Sequence, residues 1–397
     1  MKVCLIIDDY LPDSIKVGAK MMHELAVELV SKGHQVTVIV PQPNLPTSFQ
    51  IDSLDGVTIC RFRSGEIKNT SKIKRAINES LLSWQAWRAL QKHFKYNSQD
   101  LIVYYSPSIF WGALVMRLKK LWGAKSYLVL RDFFPQWVID SGMLSKWSPI
   151  TWYFKLFERV SYKAADVIGI QSPKNIEVFK QLHNISNPLE VLYNWAADIE
   201  PVAPSGEYRK TLGLNEKVVF FYGGNIGVAQ DMMNIARLAH QLRDDKRAHF
   251  LLVGSGDEVT LIQQAIDAGM AGSMTLLPSV SQQEYEKMLA EFDIGIFSLH
   301  AAHSAHNFPG KLLGYMASQK PILGSVNVGN DLEAVITAAN AGFISCNGDD
   351  EILLANARLL LDDSELRSTM GMNGRRLLNQ TFSVQAAANA LLRSVER

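Results

Sequence analysis

Short apolar runs rich in β-branched residues recur along the whole 397-residue chain, separated by longer stretches in which apolar positions return every three or four residues. The first pattern predicts buried strands, the second amphipathic helices. In the first half, strands are expected at 2–7, 35–40, 57–62, 101–105, 126–130 and 167–171. The helical pattern is plainest where Met21, Leu25, Leu29 and Val30 share one face and Gly33 stands at a left-handed stop. Periodicity lapses over 193–205, which holds Pro201 and Pro204, and then restarts. A new first strand is expected at 218–222, then a helix from about Asp231 and strands at 250–253, 274–277, 294–297, 321–323 and 343–345. This alternation predicts β-α-β units around parallel sheets. The expected fold class is α/β, with two doubly wound, Rossmann-like domains facing a central cleft. Their expected bounds are 1–200 and 201–380, with 381–397 an Ala/Leu-rich helix crossing back to the first domain. No repeat with a period of roughly 20 to 50 residues is visible, which argues against solenoids and propellers.

Composition and charge narrow the class. With 47% apolar and 20% charged residues, the chain is neither disordered nor collagen-like. Cys4, Cys60 and Cys346 are far apart and odd in number, so they suggest neither a disulfide framework nor a zinc site, and a reducing, cytosolic setting is expected. The first apolar run meets Asp8 and Asp9 too early for a secretory signal. The longest uncharged run, 101–116, is broken by Ser106-Pro107-Ser108 and falls short of the about 20 residues of a spanning helix. The net charge of +1 hides an asymmetry, +6 over residues 1–200 and −5 over 201–397. Residues 66–95 hold seven Lys/Arg against two acids beside Trp84 and Trp87, and 146–163 mixes Lys155 and Arg159 with Trp147, Trp152, Tyr153, Phe154 and Phe157. Such segments suit an anionic membrane surface, although the same aromatics could pack a core. A nucleic-acid partner is not expected, since the charge balance is near neutral and no binding motif is present.

Candidate chemistry gathers at strand ends. Gly223-Gly224-Asn225-Ile226-Gly227 follows a buried strand and precedes a helical pattern; glycines let backbone approach an anion, and a helix start offers free N–H groups. The bland alternative is a tight turn with no ligand. Gly254-Ser255-Gly256 ends the next strand, and with Val280 after the following one it would outline a nucleotide pocket. In Phe308-Pro309-Gly310-Lys311-Leu312, Pro309 suits a helix start, so Lys311 would lie near the positive end of a dipole, where an anion between them is the economical reading and a solvated lysine the plain one. Arg131-Asp132 directly follows a first-half strand, placed to touch substrate or to form an internal ion pair. Gly18 opens the first long helix. His300, His303 and His306 recur at spacing three, but no acidic ligand accompanies them, so no metal is expected. His303, His306 and Asn307 are instead candidates for sugar contact.

Taken together these residues resemble bacterial glycosyltransferase family 4, retaining nucleotide-sugar transferases of GT-B fold, over nearly the whole chain. Within the family the chain looks most similar to O-antigen and capsule transferases of lipopolysaccharide-type pathways, which move N-acetyl-L-fucosamine from a UDP-sugar to a lipid-linked saccharide. The resemblance carries donor binding to Gly18, Gly224, Asn225, Gly227, Gly254, Ser255, Gly256, Val280, Phe308, Gly310 and Leu312. It implies catalytic roles for Asp132 and Lys311, and contacts to acceptor or sugar for Arg131, His303, His306 and Asn307. The family's first helix and turn match His23-Glu24 and Lys32-Gly33-His34, and its E…AD…S run and closing asparagine match Glu158, Asp166, Ser172 and Asn194. There are departures. The family's first glycine pair is Val17-Gly18 here, and the arginine and lysine that commonly follow the second domain's first glycine turn are absent. Its two glutamates fall at His306 and Gly314, leaving Asp331, Glu333 or the backbone with Lys311 to hold the nucleotide. The resemblance implies no metal cofactor, a nucleotide-sugar donor, a lipid-linked oligosaccharide acceptor and a cytoplasmic enzyme peripheral to the inner membrane face. A sugar-nucleotide epimerase and a non-catalytic binding subunit are the alternatives.

Overall fold

The computed structural model describes all residues except 15, 69, 107, 141, 198–199, 303–307 and 397. The chain divides into two compact units, one of residues 1–197 together with 384–397, the other of residues 198–383.

The first unit is built on an eight-stranded sheet of β1 (Lys2–Ile6), β2 (Gln35–Pro43), β3 (Phe49–Leu54), β4 (Val57–Ser64), β5 (Leu101–Tyr105), β6 (Lys125–Leu130), β7 (Val167–Ile170) and β8 (Leu189–Val191), in the order β3-β4-β2-β1-β5-β6-β7-β8. All neighbours are parallel except β3, which pairs antiparallel with β4 through Ile51 opposite Cys60. β1 is buried from Val3 onward because both sheet faces are covered. On one face Val3, Leu5, Val38 and Val103 meet Leu25 and Leu29 of helix Val17–Ser31 and Ala388 and Leu391 of helix Val384–Glu396. On the other, Cys4, Ile6, Ile102 and Leu128 meet helices Leu82–Tyr96 and Gly112–Trp122. Helix Pro149–Ala164 crosses close to Gly112, where a Cβ would lie 2.6 Å from the Ser161 amide nitrogen.

The second unit holds β9 (Val218–Asn225), β10 (Ala248–Ser255), β11 (Met274–Leu277), β12 (Ile294–Ser298), β13 (Ile322–Val326) and β14 (Gly342–Cys346), all parallel, in the order β11-β10-β9-β12-β13-β14. Phe220 stacks on Phe250 on one face, and Phe221 meets Phe292 on the other. In both sheets the strand order reverses beside the unit's first strand, between β1 and β5 and between β9 and β12. Crevices for ligands open at the carboxyl ends of strands at such reversals.

Candidate functional site

In the second unit the reversal is where the sequence-predicted donor residues fall. β9 runs through both glycines to Asn225, in register with β10 so that Gly224 faces Gly254 and Asn225 faces Ser255. Gly224 has φ of +130°, a conformation that favours glycine. Helix Lys311–Ala317 brings Lys311 over this strand end, with its Nζ 3.5 Å from the centroid of the Tyr222 ring. A Cβ on Gly224 would stand 3.6 Å from the same nitrogen. Among the described residues the amine has no hydrogen bond and no carboxylate partner; the ring face is its counterweight. Removal from water lowers its pKa to about 7. A desolvated cation with no carboxylate partner among the described residues is suited to an anion.

Other residues of the segment differ from expectation. The glycine turn does not lead straight into a helix: a 3-10 turn at Val228–Gln230 intervenes, Asp231 takes φ of +45°, and the helix spans Met232–Gln241. The Ile226 amide is taken by the Ser255 carbonyl at 2.9 Å, because strand pairing continues past the glycines. The Ile226 amide is therefore not offered to a ligand as a helix-start donor. The first-turn amides of Leu312 and Leu313 likewise bond to Pro309 and Gly310 carbonyls, at 3.1 and 3.2 Å. Gly254 and Gly256 have a packing explanation, since a Cβ would lie 1.9 Å from the Gly224 oxygen and 2.1 Å from the Ile226 oxygen. A Cβ on Gly227 would meet Asp257 Oδ1 at 2.6 Å. Phe308 is buried against Phe382, and the Leu312 side chain is in the core. Val280 is half-buried beyond β11, and Ser255 and Gly310 are exposed. Asn225 donates to Gln230 Oε1 at 2.7 Å. His303, His306 and Asn307 lie outside the described residues.

Tyr222 and Tyr285 were not legible as site residues. The Tyr222 hydroxyl donates to the Asn225 carbonyl and so ties the ring below Lys311 to the turn above it. Tyr285, on helix Gln282–Glu291, packs against Gly223, where a Cβ would meet its ring at 2.1 Å, and its buried hydroxyl has no hydrogen-bond partner among the described residues. A Cβ on Gly314 would face that hydroxyl at 3.8 Å. Asp331 and Glu333 start the helix after β13, at the same sheet edge.

In the first unit, Arg131 is buried. Its guanidinium donates to the Leu192 and Tyr193 carbonyls, lies 5.1 Å from the Trp195 ring, and is lowered by burial to about 10. Nη1 and Nη2 thereby tie β6 to the segment after β8, while the buried Nε has no hydrogen-bond partner among the described residues. Asp132, the next residue, reaches solvent, while crowding by surrounding protein raises its carboxyl above the ordinary range despite Arg131. Gly18 packs on Tyr105, with a Cβ position 3.0 Å from the hydroxyl. The family-matched acids and caps are framework. Glu158 is buried beside Tyr162 and raised by burial to about 7, Asp166 accepts from the Ser126 amide and from Lys119, and Ser172 caps helix Pro173–Leu182. His23 bridges Tyr10 and Asp55, each at 2.9 Å, and Asn194 accepts from Gln171 at 3.1 Å. A cavity of about 260 Å³ opens at the carboxyl ends of β1 and β2, lined by Asp8, Asp9, Tyr10, Asp13, Arg61 and Lys68. Asp8 accepts from Trp111 at 2.7 Å and is raised by burial to about 7. Sequence reading took the acidic pair only as the end of a strand.

Two doubly wound units, one carrying a lysine over a glycine-rich strand end, define a protein of GT-B fold. The solved structures that resemble it have that architecture: Anabaena HepE in complex with UDP superposes with a TM-score of 0.70 at 14% identity over the full length of both chains. WaaG, a glycosyltransferase involved in lipopolysaccharide biosynthesis, gives 0.63 at 16% identity, covering 99% of this chain and 98% of that one. Residues 18–196 match the Glycosyltransferase Family 4 model and residues 216–363 the Glycosyl transferases group 1 model, so each half of the chain is similar to a glycosyltransferase domain. WbjE of Pseudomonas aeruginosa, named as a glycosyltransferase, is 26% identical over 265 residues, which are 66% of this chain and 65% of that protein. WcaI of Escherichia coli K12, named as a colanic acid biosynthesis glycosyl transferase, is 22% identical over 80% of this chain and 81% of its own.

Proposed function

We propose that this protein is a retaining glycosyltransferase of polysaccharide or lipopolysaccharide biosynthesis, transferring a sugar from a UDP-sugar to a lipid-linked saccharide. The observation that carries the reading is the Lys311 amine, desolvated, held by the Tyr222 ring face beside Gly224 and without a charged partner among the described residues. A nucleoside diphosphate leaving group develops negative charge as its bond to the sugar breaks, and a preorganised cation stabilises that charge. The departing phosphate takes the acceptor proton, and Asp132 orients the acceptor or sugar hydroxyl. No metal is needed for these roles. HepE has been solved with UDP and with UDP-glucose, which supports a uridine nucleotide as the first donor to try. N-acetyl-L-fucosamine in an O-antigen or capsule unit is the sugar proposed, at the cytoplasmic face of the inner membrane.

A thermal-shift series with UDP, GDP, ADP and CMP, with and without magnesium, tests the donor. A selective, magnesium-independent rise with UDP is expected, lost in Lys311→Ala. Conversion of a UDP-sugar with no acceptor present would instead mark an epimerase, and UDP binding with no turnover on any lipid-linked saccharide would mark a binding subunit.

A further inference from the structure

Two segments that the sequence leaves ambiguous between core and surface are resolved by their exposure. Helix Lys72–Ser80 has no buried residue at all, and it presents Ile73 (77% exposed) and Ile77 to solvent, one turn apart. The stripe continues through exposed Leu81 to Trp84. Helix Pro149–Ala164 packs its inner side, with Phe154 against Phe134 and Phe157 against Phe110, at 4.9 Å in each case. Its outer side leaves Trp152 and Leu156 exposed, and the loop before it leaves Met143 and Trp147 exposed, the latter at 73%. The two ridges are joined, because the Tyr153 hydroxyl of the second helix donates to Ser80 at the end of the first.

The surrounding charge has one dominant sign. Lys72, Arg88, Lys146 and Arg159 are exposed around these apolar residues. Two of them lie over the rim tryptophans, Arg88 at 5.2 Å from Trp84 and Lys146 at 5.3 Å from Trp147. Glu66 and Glu79 are already paired with Lys74 and Arg75. Tryptophans with cations stacked on them, beside exposed aliphatic residues, match the layering of a bilayer interface: acyl chains, the headgroup level where indoles settle, then phosphates. A protein partner is usually met by an apolar centre depleted of charge, whereas here cations are threaded through the patch. Among the described residues no helix is long and apolar enough to cross a membrane.

We propose that helices Lys72–Ser80 and Pro149–Ala164, with the Met143–Ser148 loop, form a docking face for an anionic phospholipid bilayer. Ile73, Ile77, Trp147, Trp152 and Leu156 enter the interface, and Lys72, Lys146 and Arg159 contact lipid phosphates. Its sense rests on the lipid-linked acceptor proposed above; its test does not, since capture by vesicles is read without donor or acceptor.

The experiment is co-sedimentation of the full chain with phosphatidylglycerol vesicles and with phosphatidylcholine vesicles. Capture by the anionic vesicles alone is expected, weakening about tenfold or more when salt rises from about 0.05 to about 0.5 M. Trp147→Ser with Trp152→Ser, and separately Lys72→Glu with Arg159→Glu, lower capture at least about tenfold. Both leave the melting point and the UDP-induced shift in place, as expected for exposed side chains. Leu359→Ser, an exposed change in the second unit, has no effect on capture. Equal capture by both vesicle types, or capture indifferent to the paired substitutions, overturns the proposal. So does absence of capture by a protein that forms dimers which the same substitutions dissociate, since the face is then an interface between copies. If vesicle capture holds while UDP gives no shift, the docking face stands and the donor reading falls.

Discussion

Lys311 is the residue on which the chemistry turns, and its pKa gives it a pH signature. In water a lysine titrates near 10.5, while in the folded protein desolvation brings Lys311 to about 7. Below about 7 both states are charged and folding bears the whole cost of desolvation. Between 7 and 10.5 the unfolded chain binds the extra proton, so stability rises with pH across that window. Lys311→Met is therefore expected to melt later than the parent at about pH 6, by on the order of 1–3 kcal/mol once residual solvent access is allowed for, and to lose that advantage by about pH 10.5. Equal gains at both pH values would show that the lysine is not a buried charge. A bound diphosphate reverses the preference, so UDP affinity should fall as pH rises through 7 in the parent and not in the variant. In turnover, Lys311→Ala is expected to lose on the order of 100-fold or more.

At the scale of elements, the parallel strands were legible because a strand covered on both faces has to be apolar nearly throughout. β1, β2, β4 to β7 and β9 to β14 all lie where the runs fell, with ends displaced by a few residues. β3 and β8 were not legible. β3 is an antiparallel edge whose residues are mostly exposed and partly charged, and β8 has three half-buried residues, so neither carries a hydrophobic signature. In the candidate site the lysine and the glycine cluster were legible, but Tyr222 and Tyr285 looked like core aromatics, and the carbonyl partners of Arg131, some sixty residues away, could not be read from a residue pattern that allowed substrate contact or an internal ion pair. Spacing cannot tell a glycine kept for a ligand from one kept for a neighbouring strand. Gly254→Ala separates the two: its Cβ would press on the Gly224 carbonyl, and a loss of about 1–3 kcal/mol in denaturant unfolding is expected before any ligand is added. Unchanged stability with weaker UDP binding would return Gly254 to the ligand.

At the scale of the whole molecule, each unit has its own core, and the two should report separately. Leu391, fully buried against helix Val17–Ser31, belongs to the first unit. Leu391→Ala is expected to cost that unit about 2–5 kcal/mol. In calorimetry it should lower one transition, while Gly254→Ala lowers the other and UDP raises only the latter. A single transition moved alike by all three perturbations would mean that the units unfold as one.

The return of helix Val384–Glu396 to the first unit also fixes an order of events during synthesis. The stripe of Met22, Leu25 and Leu29 emerges early, yet the Ala388 and Leu391 that cover it are translated only after every residue of the second unit. Of the two units, the one begun first is thus completed last. While the ribosome works through nearly two hundred intervening residues, a nascent chain carries an uncovered apolar seam of the kind chaperones bind. A ribosome that stalls anywhere in the second unit leaves that seam open.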